Sequence, residues 1–126
     1  MAMRTPLKAV RGLGSARDGT SHFWMSRVTG AANLVLSVFL VLFIARMVGA
    51  THAEVKAAIA HPMVGLPLAA LAISAAIHMR LGMQVIIEDY VHGEGAKIVL
   101  LMLNTFFACF IGGASLLAIL KLSLGA

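Results

Sequence analysis

The stretch PMVGLPLAALAISAAIHMRLGMQVII, residues 62–87, decides the fold. Its only ionisable side chains are His78 and Arg80, and it exceeds the roughly 20 residues that carry a helix across a hydrocarbon core. Apolar residues follow one another without the strict alternation of a half-buried strand, so the segment reads as a transmembrane helix. Working outward, residues 28–48 form a second such run, nearly free of charge until Arg46, and residues 98–124 form a third. Runs this long and this numerous exclude a cleaved signal peptide as their explanation. The expected fold is all-α and integral to the membrane, with three transmembrane helices at about 28–48, 62–87 and 98–124.

Composition agrees. In a chain of 126 residues, 60% are hydrophobic and 12% charged, and the mean hydropathy is +0.95. A soluble domain is about a quarter charged, so a fold of this size has no way to hide that much apolar surface from water. Lipid is the solvent. The net charge of +5 raises the question of nucleic acid. Five of the ten basic residues, Arg4, Lys8, Arg11, Arg17 and Arg27, precede the first apolar run, and none is interleaved with aromatics as a patch. That distribution fits membrane orientation and speaks against nucleic-acid binding. The single Cys109 excludes an intrachain disulfide and any iron–sulfur or zinc site built from this chain's cysteines alone.

Two parts are expected, a surface segment over residues 1–27 and a three-helix transmembrane domain over 28–126. The first is polar, basic and broken by Pro6, Gly12, Gly14 and Gly19, which reads as irregular structure at the membrane surface. Its arginine-rich, acid-poor character also suits a transit peptide. Gly12 and Gly14 lack the strand and lysine of a phosphate loop. The turn at 88–97 adds Lys97 to the basic residues of the N-terminal side, against Arg46, Lys56 and Lys121 opposite. The positive-inside rule then puts the N-terminus and that turn in the cytoplasm and the C-terminus on the far side.

Ionisable groups within a span are costly and tend to face protein. At about 100° per residue, His78 and Arg80 stand roughly 200° apart on the middle helix. Leu71, Ser74, Ala75, Gly82, Val85 and Asp89 share the face of His78. Gly82 leaves room for a flat ligand, and Ser74 is placed to orient the imidazole. A histidine at a gap of small residues inside the membrane suits a haem axial ligand. It equally suits a structural hydrogen bond across a helix interface. The opposite face carries Gly65, Ala69, Ala72, Ala76 and then Arg80, a row of small residues that lets helices approach closely. This row is expected to pack on the first and third helices, leaving His78 pointing outward to something another chain supplies. Asn33, Asn104 and Thr105 lie at a depth to meet Arg80, which is read as satisfied within the bundle or snorkelling.

At the cytoplasmic rim stand His22, Trp24 and Arg27 before the first span and Asp89-Tyr90 closing the second. Singly these are interfacial anchors and positive-inside markers. Together they offer a phenol donor, a carboxylate and a cation at the depth of a quinone headgroup, as quinone reduction requires. His52, His61 and His92 are read as solvated, because no second ligand lies at metal-site spacing.

The run HMRLGMQVIIEDY, residues 78–90, resembles the smaller hydrophobic membrane anchor of succinate dehydrogenase, with its histidine, Gly82-Met83 and Asp89-Tyr90. RGLGSA at residues 11–16, then His22-Phe-Trp with Arg27 and Thr29, is similar to that family's N-terminal signature. Met25 departs from it, standing where relatives often carry a polar residue or histidine. The resemblance spans nearly the whole chain. It implies that His78 is one axial ligand of haem b, the second coming from a companion anchor subunit that completes the helix bundle. It implies that Arg27, and less strongly His22, lie near the haem propionates. Tyr90 would bind ubiquinone, with Asp89 assisting proton delivery. It further implies partnership with the iron–sulfur and flavoprotein subunits of complex II, which carry the clusters and the succinate chemistry, in a bacterial cytoplasmic membrane. The chain alone would not be catalytic. The rivals are a fumarate reductase anchor, which shares the architecture, and a structural or transport protein without cofactor.

Overall fold

The computed structural model describes residues 5–10 and 18–124, and every regular element among them is helical. Arg4, Arg11, Arg17 and the signature at residues 11–16 lie outside the described residues. A short α1 (Pro6–Val10) precedes α2 (Asp18–Met47), α3 (His52–Ala60), α4 (Pro62–Tyr90) and α5 (Glu94–Ser123). Three of these contain stretches long and apolar enough to cross a membrane, namely Thr20–Met47, Pro62–Tyr90 and Glu94–Ser123. The three expected spans are therefore present.

Their ends differ from the hydropathy boundaries, and the reason is physical. Residues 18–27, expected to be irregular, are the first turns of α2. Once a helix exists, each added residue gains a backbone hydrogen bond for one residue fixed, whether or not its side chain is apolar. Loss of hydropathy therefore marks where lipid ends and not where the helix ends. In the same way α4 continues to Tyr90 and α5 begins at Glu94. The connection expected over residues 49–61 holds a helix of its own. Gly49 closes α2 with a φ of 82°, a left-handed turn that its missing Cβ permits. Thr51 and Glu54 then form a reciprocal capping box that starts α3: the Thr51 amide donates to Glu54 Oε2 at 2.7 Å, and the Glu54 amide donates to Thr51 Oγ1 at 3.4 Å. These bonds, the one from the Thr51 backbone first, hold the Glu54 carboxyl below its ordinary pKa. Pro62 opens α4, where its missing N–H costs nothing, and the His61 side chain accepts from the Met63 amide at 3.3 Å.

The middle span is the centre of the molecule. One face of α4 packs on α5 and the other on α2. The α5 side is the row of small residues: a Cβ on Gly112 would come within 2.9 Å of the Ala76 Cβ, so only glycine permits this approach. Asn104, buried on α5, donates to the backbone oxygen of Arg80 at 2.9 Å. Beyond the membrane end of this pair, Ser123 Oγ donates to Ile59 O at 3.2 Å and ties α3 to α5. The α2 side is the face of Ser74 and His78, where Ser74 Oγ donates to Thr29 O at 3.2 Å. The expectation that the small-residue row would receive both the first and third helices is thus corrected. It receives the third only, and the first lies against the histidine face. A helix flanked on opposite sides leaves much apolar surface outside, and Leu81, Ile87 and Ala108 are the only buried hydrophobic residues among those described.

Two outcomes test this packing. Gly112→Val is expected to lower the thermal denaturation midpoint of the purified, assembled protein, because the clash with Ala76 forces α4 and α5 apart. Gly113→Val, whose added Cβ meets nothing within 4 Å, serves as the neutral control. At the α3 cap, the depressed carboxyl pKa means Glu54 stabilises the fold above its unfolded pKa and ceases to as pH falls through the lower folded value. Glu54→Gln is expected to remove that acid-dependent part of a stability–pH profile.

Candidate cofactor-binding site

At the crossing of α2 and α4 lies a cavity of about 520 Å³. His22, Phe23, Ser26, Arg27 and Gly30 of α2 line it, and His78 of α4 closes it. Positions 22, 23, 26, 27 and 30 repeat at helical spacing, so a single face of α2 supplies them. That face exists because residues 18–27 are helical. Phe23 steadies the cation at the mouth: the Arg27 guanidinium lies over its ring, 4.9 Å from the centroid.

The half-buried His78 imidazole is held on its α2 side. Thr29, only 6% exposed, places Oγ1 3.0 Å from His78 Nδ1. The same hydroxyl lies 2.7 Å from Met25 O and 3.3 Å from Ser26 O in the preceding turn. Next to Thr29, Gly30 lets the ring come close; a Cβ there would stand 3.3 Å from His78 Cε1. No described residue bonds to His78 Nε2, which leaves that nitrogen for the cavity.

The sequence expectations meet this geometry unevenly. His22, Arg27 and His78 are brought to one cavity. Trp24, Asp89 and Tyr90 are exposed and are not among its lining residues. Asp89 and Tyr90 close α4 eleven and twelve residues beyond His78, about 16–18 Å along the axis. The polar rim and the histidine cavity are accordingly separate places. His78 does not point away from its own first helix, as expected, but onto it, with only part of the ring left free. Ser74 does not touch the imidazole; it bonds the backbone of Thr29, the residue that does. The glycine at the ring is Gly30, and the position of Gly82 faces open space. Arg80 is exposed, and its Nε donates to Thr105 Oγ1 at 3.3 Å, as expected. Asn104 meets the Arg80 backbone instead of its guanidinium. Asn33 does not join them, and its Oδ1 is buried without a hydrogen-bond partner, for which the packing offers no account. His52, His61 and His92 are exposed. Thr29, Ser26 and Phe23 were missed as site residues, though a helical reading of residues 18–30 puts Phe23 and Ser26 on the face of His22 and Arg27.

Three apolar spans around a histidine-centred cavity define a multi-pass membrane protein whose polar chemistry is confined to one helix crossing. Residues 1–113 match the family described as Succinate dehydrogenase/Fumarate reductase transmembrane subunit, and the chain belongs to that family. It is 31% identical over 122 residues to a succinate dehydrogenase hydrophobic membrane anchor subunit of Paracoccus denitrificans, covering 97% of this chain and 94% of that one. It is 28% identical over 88 residues, 70% of each chain, to the protein of the same name from Rickettsia bellii. No solved structure matches it.

Proposed function

We propose that this chain is the membrane anchor of a succinate dehydrogenase in a bacterial cytoplasmic membrane, contributing to a haem b site and a ubiquinone site that it shares with partner subunits. The observation that carries the reading is the cavity that joins His78 to Arg27 and His22 in a member of this family.

The donor set fits haem. Iron in a haem is held by a neutral imidazole nitrogen, and His78 keeps Nε2 free while Nδ1 is engaged by Thr29. Gly30 allows close approach of the ring. Arg27 and His22 put basic groups at the cavity, suited to the carboxylates of propionates. His78 would be one axial ligand, and a residue of the companion anchor the other. Haem b bound there supplies a one-electron redox centre close to the quinone.

Ubiquinone is the substrate at the rim. Succinate gives up two electrons and two protons on the flavoprotein, and the iron–sulfur protein passes the electrons to the membrane. There the quinone takes up two electrons and two protons to become quinol. Tyr90 donates a hydrogen bond to a quinone carbonyl oxygen and stabilises the charge that develops on it. Asp89, exposed beside it, relays protons from the aqueous phase. The positive-inside count supports a cytoplasmic rim, where the soluble partners would dock. The family description covers fumarate reductases as well; the names of both relatives favour the succinate-oxidising direction.

A reduced-minus-oxidised spectrum of the purified complex is expected to contain a b-type haem signal that His78→Ala abolishes. A wild-type complex without that signal refutes the haem assignment. Tyr90→Phe is expected to slow quinone reduction roughly 10²-fold, the scale of a lost oxyanion donor, while succinate oxidation by an artificial acceptor is unchanged. Equal loss of both activities contradicts a quinone-specific role.

A further inference from the structure

We infer that Thr29 is a positioning residue for His78: it fixes the Nδ1–H tautomer of the imidazole and so turns a lone-pair-bearing Nε2 to the cavity. The inference rests on the haem reading above and adds a residue to it.

Proton counting carries the argument. A threonine hydroxyl has one hydrogen to give and lone pairs to accept with. Thr29 Oγ1 is 2.7 Å from Met25 O, four residues earlier, and a carbonyl oxygen can only accept. A threonine inside a helix commonly donates in this way to the carbonyl one turn back. Two oxygens at 2.7 Å with no hydrogen between them would repel, so the Thr29 proton lies on the line to Met25 O. The hydroxyl therefore has only a lone pair left for His78, whose Nδ1 stands 3.0 Å away. Nδ1 must be the donor. In a neutral imidazole the other nitrogen is then unprotonated, the form that binds a metal.

The surroundings keep this arrangement in place. Ser74 Oγ donates to Thr29 O at 3.2 Å, so α4 grips the backbone of the very residue that orients its histidine. Gly30 admits the ring edge. Thr29 is buried and water is a poor competitor for its lone pair. An acceptor on the far nitrogen also makes an imidazole a stronger donor to its metal and favours the oxidised metal.

The test compares Thr29→Val, which keeps the shape and loses the hydroxyl, with Thr29→Ser, which keeps the hydroxyl, in the assembled complex. Haem retained per flavin, the haem midpoint potential and the low-spin ferric EPR signal are the readouts. T29V is expected to weaken haem binding about 10–100-fold, to raise the midpoint potential of the haem that remains and to shift its EPR signal. T29S is expected to match wild type in all of them. A T29V complex loaded with haem of unchanged potential and EPR signal overturns the proposal, as does a T29S complex as defective as T29V. Should T29V fail to assemble, Thr29→Ala is read in its place. Failure of both while T29S assembles also counts against it, because a hydroxyl needed only for folding then suffices. A haem-free wild-type complex would instead defeat the parent reading and this inference together, which separates the two failures.

Discussion

A polar side chain inside a membrane has no water to fall back on, and each one must find its partner in protein. The middle helix of this chain carries polar groups on two opposite faces, and the architecture follows from how each is satisfied. On one face the Arg80 carbonyl accepts from Asn104 and the guanidinium leans on Thr105, drawing α5 alongside. On the other, Ser74 and His78 both engage Thr29, drawing α2 alongside. Glycine enters wherever the backbones come closest, Gly112 on the first side and Gly30 on the second. Two helices satisfied from opposite sides leave the middle helix as the shared wall between them.

This disposition explains why the cavity forms where it does. The His78 ring is neither wholly inside the α2–α4 contact nor wholly outside it. One nitrogen is committed to Thr29 and the other is left over, while the N-terminal turns of α2 carry His22 and Arg27 to the same opening. A ligating histidine needs this combination, since a ring free on both sides is unoriented and a ring bonded on both sides has no lone pair to offer. The extensive apolar exterior of the bundle suits a chain that shares its site with neighbours and with lipid.

The separation of Tyr90 and Asp89 from the histidine cavity has its own consequence. Along α4 they lie about 16–18 Å beyond His78, too far for one small ligand to touch both through this chain. Two functions on one helix are therefore arranged in series along its axis. Quinone chemistry at the rim stays near the aqueous source of protons, and a buried redox group stays away from it.

Much of this was legible in the residues themselves. Three apolar runs longer than a bilayer is thick admit only membrane-spanning helices, because hydrogen-bond satisfaction in lipid leaves a single apolar segment no other choice. The motif from His78 to Tyr90 marked the middle helix as the one with chemistry. Periodicity also placed His78 and Arg80 on opposite faces, and Thr105 at the depth of Arg80. Three things were hidden. Hydropathy does not report where a helix ends, so the turns of α2 before residue 28, and with them the face shared by His22, Phe23, Ser26, Arg27 and Gly30, read as irregular. The capping box of Thr51 and Glu54 stood in plain spelling but within a segment too short to attract a helical reading. Above all, a helical wheel assigns a residue to a face without saying which neighbour covers that face. Only the tertiary structure decided that α2 lies against His78 and α5 against the small-residue row, because that choice depends on which pairs of polar groups and glycines meet at equal depth, a relation between segments distant in sequence.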